Sequence, residues 1–131
     1  MNRNPPGSLL PTLALIFFSV AASAETFLCR ETASVAIDQF GTSNSADKPD
    51  HFEPQDWVVD TEKGWRRADV PHFSGSCLSN KGYVVCRENN IVFGEASLSI
   101  HPDGANFILV YIDYGLDALA FVGKCQQDSL G

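Results

Sequence analysis

The sequence predicts a small all-β domain, an antiparallel sandwich or barrel of six to eight strands, stapled by disulfides. Three observations predict it. Runs rich in β-branched and aromatic residues recur between turn signals at roughly ten-residue spacing, which is the rhythm of sandwiches and small barrels. The chain carries four cysteines in 131 residues, an even set that reads as a disulfide framework. Its best local turn, His101-Pro102-Asp103-Gly104, separates two such runs, with proline presetting φ and glycine free to turn left-handed.

Composition bounds the rest. At 44% hydrophobic the chain is too apolar to be disordered, and its length suits one domain. A net charge of -7 argues against nucleic-acid binding, which needs a basic face to neutralise phosphates.

Residues 1–24 read as a secretory signal peptide. Arg3 supplies the positive start, residues 13–21 form an apolar core, and Ala22-Ser23-Ala24 fits the small-x-small cleavage pattern. The apolar core is too short for a bilayer span, so no stable membrane span is expected after cleavage. A single β domain then occupies residues 25–131. Nine basic residues less Arg3 leave eight against sixteen acids, an expected mature charge of -8. The expected location is the bacterial periplasm or the medium.

The elements follow in order. Residues 26–37 form the first strand, with Thr32, Val35 and Ile37 β-branched. Residues 41–53 are polar and read as a loop. Residues 56–61 hold Trp57-Val58-Val59 and read as a short strand, and Glu62-Lys63-Gly64 as a turn. Residues 66–76 show little periodicity and read as mostly irregular; a helix over 61–68 is weakened by Gly64. Residues 82–88 form a strand, Asn89-Asn90 a turn, and residues 91–93 and 96–100 extended segments. Residues 106–113 form a strand, 114–117 a turn, and 118–125 the closing strand. Neighbours joined by such tight turns pair antiparallel.

The favoured disulfides are Cys77–Cys86 and Cys29–Cys125, out of the three pairings four cysteines allow. Cys77 and Cys86 enclose turn residues followed by strand residues, so their ends can meet across a hairpin. The other two lie where a first and a last strand pair. The chain-entropy argument gives about 2.7 kcal/mol for the short loop and about 4.7 kcal/mol for the long one. Neither zinc spacing nor a Cys-x-x-Cys redox motif is present.

One run departs from simple alternation. Residues 107–112 (Phe-Ile-Leu-Val-Tyr-Ile) are apolar on both faces, so each face needs cover. The expected cover is the first-half loops; a partner or lipid are the alternatives.

Chemistry-bearing residues are sparse. His51, His72 and His101 each have acids nearby, without zinc or calcium spacing, so no metal and no cofactor is expected. With the cysteines paired and no nucleophile elbow, no catalytic residues are assigned and the chain reads as non-enzymatic. The candidate binding surface is Trp57, Trp65, Phe73, Arg66 and Arg67. Aromatics near loops can form a platform for a sugar or peptide, or a lid over one sheet face.

The chain resembles small secreted proteobacterial β-proteins of unknown function. The shared features are the early Cys29, the aromatic-rich segment 52–65, a mid-chain cysteine and the ending Val122-Gly123-Lys124-Cys125. More loosely, it is similar in size, charge and export to periplasmic lysozyme inhibitors. Their Ser-Gly-x-x-Tyr element has a counterpart in Ser74-Gly75, with Leu78 in place of the tyrosine.

These readings give an exported, acidic, non-enzymatic β-domain that binds another macromolecule; its specific version is an inhibitor of a basic hydrolase such as lysozyme. The expected partner is a basic protein, whose encounter the negative charge would speed. A small-ligand carrier with a barrel cavity is the alternative, and a hydrolase the third.

Overall fold

The computed structural model describes residues 23–90, 94–103, 105–115 and 117–128, with Gly7 and Ile16. The expected signal peptide and the extended segment at 91–93 therefore lie almost wholly outside the described residues.

Among the described residues nine strands form one antiparallel sheet: β1 (Thr26–Asp38), β2 (Gly41–Asn44), β3 (Asp56–Asp60), β4 (Gly64–Arg67), β5 (Ser76–Asn80), β6 (Tyr83–Asn90), β7 (Gly94–Ile100), β8 (Asn106–Asp113) and β9 (Asp117–Gln127). Eight of them run β4-β3-β1-β9-β8-β7-β6-β5 into a nearly closed barrel, and β2 pairs only with β1. Trp65 and Ser74 exchange two backbone hydrogen bonds (3.0 and 2.8 Å) where the β4 and β5 ends of the sheet meet. The fold is thus the barrel form of the expected all-β class.

Alternation explains which side chains fill it. Cys86, Leu98, Leu109 and Phe121 stand opposite one another across β6, β7, β8 and β9, on the inner face. Leu98, Ile100, Leu109, Val59, Val84 and Cys86 are fully buried. Their burial, at about 1.5–3 kcal/mol for each large aliphatic side chain, drives the closure. Gly123 sits where β9 crosses the core. A Cβ there would lie 2.0 Å from the Arg30 carbonyl oxygen and 2.4 Å from the Phe107 ring, so only glycine lets β1 and Phe107 close on β9.

Both disulfides form as expected, Cys29–Cys125 and Cys77–Cys86, each between residues directly opposite on paired strands. The first ties the two strands with the longest pairing in the barrel, β1 and β9.

Several local expectations need correction. The segment 66–76 is mostly irregular, as expected, but β4 reaches into it as far as Arg67, paired with β3 through Val59 opposite Trp65 and Val58 opposite Arg66. No helix forms over 61–68; the one helical turn among the described residues is the 3-10 segment Pro49–His51, in the expected polar loop, which also contains β2. The residues after Cys77 are strand rather than turn. The reversal comes at Lys81 and Gly82, both at positive φ (50° and 84°), a backbone that matches the twist of a tight hairpin. The backbone of Asn89 and Asn90 does not turn either, because both pair onward with Glu95 and Gly94 of β7.

The first-half segments do not cover the second apolar face of residues 107–112. They run on round the barrel as β3 and β4, and their two tryptophans point inward. The outward side chains of β8 remain open, with Ile108 44% and Ile112 46% exposed.

Candidate functional site

Antiparallel winding sets every second strand end at the same rim. One rim collects the end of β1, the end of β6, the start of β7, the end of β8 and the start of β9. It surrounds a cleft of about 480 Å³.

The cleft has two layers. Its floor and walls are apolar: Ala36, Ala96 and Leu119, with Tyr111 at the base. Its rim is acidic: Asp38, Glu88, Glu95, Asp113 and Asp117, with no lysine, arginine or histidine among the lining residues. Among the described residues, no cation pairs with any of these five carboxylates.

Two of the acids have local structural work. Asp38 Oδ1 accepts the Phe40 N–H at 2.8 Å, and Asp113 Oδ1 accepts the Gly115 N–H at 2.7 Å, closing turns. The side chains of Glu88, Glu95 and Asp117 make no hydrogen bond or ion pair among the described residues. Moreover Asp113 stands directly opposite Asp117 across the β8–β9 hairpin. Like charges in register destabilise a strand pair, so folding alone does not account for the arrangement. Gly94, at φ 146°, admits the close passage of β7 past β8: a Cβ would fall 2.1 Å from the Ile112 carbonyl oxygen.

Tyr111 links the cleft to the core. Its ring lies 6.1 Å from Trp65 and 6.3 Å from Phe121, and Trp65 stacks on Trp57 at 5.7 Å. Burial, then Glu88 and Glu31, push its phenol up to about 12 from an ordinary 10.0, while Arg67 acts the other way. Folding therefore favours the neutral phenol. The stability this contributes is whole below pH 10 and lost as pH rises from 10 to about 12. Titration of phenolate absorbance is expected to show a late step near pH 12 that Tyr111→Phe removes; an unchanged profile in the variant would refute the assignment.

The five residues of the expected binding surface separate. Trp57 and Trp65 are core residues, 6% and 2% exposed. Trp57 Nε1 donates to Glu31 Oε1 at 2.8 Å, whereas Trp65 Nε1 is buried with no partner among the described residues. Arg66 spends its guanidinium on its own loop: Nη1 donates to the carbonyls of Arg67, Ala68 and Val70, and its Cζ lies 5.2 Å over the Phe73 ring. Arg67 makes a two-pronged pair with Asp69 (Nε to Oδ1 2.9 Å). That contact raises the guanidinium's pKa and lowers the carboxylate's. Phe73, Arg66 and Arg67 thus form a self-satisfied cluster.

No histidine lines the cleft. His51 and His72 are exposed in loops, and His101 pairs with Asp103 at 3.4 Å in its own turn. Among the described residues, no three histidines, cysteines or acids converge as metal ligands. The rim carboxylates are spread around an opening rather than gathered on a point. The sequence signal for them was present: Asp38 and Asp113 end strands, Asp117 starts one, and Glu95 follows a strand's first residue, so antiparallel order gathers them at one end.

Comparison of the chain with protein-family models, curated proteins and solved structures finds no match.

Proposed function

We propose that the protein is an exported, non-enzymatic binding domain whose acidic barrel mouth takes cationic side chains from the surface of a basic protein, acting in the bacterial periplasm or outside the cell. The observation that carries this reading is the rim: five acids around an apolar cleft, with no paired cation among the described residues. Carboxylates distributed around an opening suit several cations presented together, as on a protein surface, better than one small ion. The apolar floor suits the methylene stems that lysine and arginine carry. The two disulfides fit an oxidising compartment. No helix among the described residues is long and apolar enough to cross a membrane.

The specific partner class is a basic hydrolase such as lysozyme. The experiment is calorimetric titration of lysozymes into the protein at about 50 mM and about 200 mM salt, where screening lengths differ roughly twofold. Saturable binding that weakens at least about tenfold with salt is expected of a charge-led interface. No binding at the lower salt removes lysozyme as the partner.

The cleft volume favours a second reading. At about 480 Å³ it falls within the roughly 300–1,000 Å³ of small-molecule sites. The barrel interior beneath it is filled by Leu98, Leu109 and Cys86, so a carrier would hold its ligand at the mouth rather than inside. A small amphipathic amine binding with little salt dependence, while basic proteins fail, would select this reading.

A further inference from the structure

Strand register sets the inward side chains of the barrel in level rows. Cys86, Leu98, Leu109 and Phe121 fill one row. The next row toward the mouth is Glu88, Ala96, Tyr111, Leu119 and Ala36. Its two alanines leave open what larger side chains would fill, and that space is the lower part of the cleft. Above it, at the rim, Asp113 stands opposite Asp117. Successive inward rows are two residues apart, roughly 6.5 Å along a strand.

Glu88 is the charged member of that lower row. It is half-buried, and among the described residues its carboxylate has no hydrogen-bond or ionic partner. In the same row, two strands along, the Tyr111 hydroxyl also lacks a hydrogen-bond partner among the described residues. Burial, and after it the Glu88 charge, raise that phenol, which places the carboxylate within electrostatic reach of it. A carboxylate set below the rim among apolar side chains loses hydration without a compensating contact. The complement to this floor is a single positive charge carried on an apolar stem.

We infer that the cleft seats one lysine side chain of the bound protein, with its ammonium between the Glu88 carboxylate and the Tyr111 hydroxyl and its methylenes against Ala36, Ala96 and Leu119. This rests on the reading of the mouth as a site for cationic side chains, and it specifies which side chain enters. The descent of one row from rim to floor, roughly 6.5 Å, suits a four-carbon stem. The acceptors select the head. Glu88 and Tyr111 lie on strands two apart, and a compact ammonium can turn its three donors to both. A planar guanidinium forks onto the two oxygens of one carboxylate and leaves the phenol oxygen without a donor.

The test is NMR of the labelled protein titrated with Nα-acetyl-lysine methylamide, its Nε-dimethyl form and the arginine counterpart, each up to about 50 mM, since one side chain binds in the millimolar range. Dimethylation keeps the charge and enlarges the head. The lysine compound is expected to give saturable shifts at Glu88 and Tyr111, and the other two to bind at least about fivefold more weakly. Glu88→Gln, which removes the charge, and Ala36→Leu, which fills the space, are each expected to weaken the lysine compound at least about tenfold with circular dichroism unchanged. No saturable response to the lysine compound, an equal response to all three, or an undiminished response in Glu88→Gln overturns the inference. Native and lysine-dimethylated lysozyme, titrated at low salt, separate the seat from the reading beneath it. Equal binding of both overturns the lysine seat and leaves the charged rim as the binding site. Loss of binding on dimethylation supports the seat. A saturable lysine response without binding of either lysozyme also supports the seat, and removes lysozyme as the partner.

Discussion

Replacing Cys29 and Cys125 together by alanine is expected to lower the unfolding free energy by about 4–5 kcal/mol, against about 2–3 kcal/mol for Cys77 and Cys86. The difference follows from loop length: the first bridge spans a sequence separation of 96 and the second one of 9. Constraining the longer loop removes more entropy from the unfolded chain. The long bridge also joins β1 to β9, which bring the two ends of the described domain side by side with Phe27 opposite Gln127. Small domains have only about 5–15 kcal/mol in hand, so the first variant approaches the limit of folding. Urea melts of the two double variants decide it. Equal losses would mean that the β1–β9 pairing holds without its covalent tie.

Glu31→Ala is expected to cost about 2–4 kcal/mol, more than most single changes. Glu31 points into the barrel with Phe27 and Cys29 and is 2% exposed. Its two oxygens accept the Trp57 indole N–H at 2.8 Å and the Gln55 backbone N–H at 3.1 Å. Truncation leaves both donors without their acceptor, and an unsatisfied buried donor costs about 1–3 kcal/mol. Glu31→Gln keeps one acceptor oxygen and is expected to fall between wild type and alanine. Urea midpoints, with tryptophan fluorescence reporting Trp57, provide the measurement. A loss below about 1 kcal/mol for alanine would mean that the donors find other partners once the carboxylate is gone.

Glu31 also shows what the sequence could reveal. The alternation Phe27, Cys29, Glu31 placed this acid on the inner face, yet a charged residue there has no local rationale. Its reason, the Trp57 indole, lies on another strand. β4 shows the same limit: Gly64-Trp65-Arg66-Arg67 has too few β-branched residues to announce a strand, and it is one because Val59 and Val58 of β3 pair with it. By contrast β8 and β9 were legible, since their apolar runs lie between tight turns and their pairing is local. The disulfide partners were legible for a related reason: one pair brackets a hairpin, and the other sits on the first and last strands. The rim acids carried a signal, their places near strand ends, but each of five strands contributes one of them, and only the winding of the barrel shows that those ends share a rim. The aromatic residues attracted attention as a surface, but Trp57 and Trp65 serve the core because their strands face inward.

The claim that the acidic mouth is the binding site is tested most directly by amide NMR of the labelled protein titrated with a basic lysozyme at low salt. Shifts are expected to saturate and to concentrate at Glu88, Glu95, Tyr111, Asp113 and Asp117, and to fade with added salt. Saturable shifts centred instead on Arg66, Arg67 and Phe73, or on the Ile108 and Val122 wall, would contradict it.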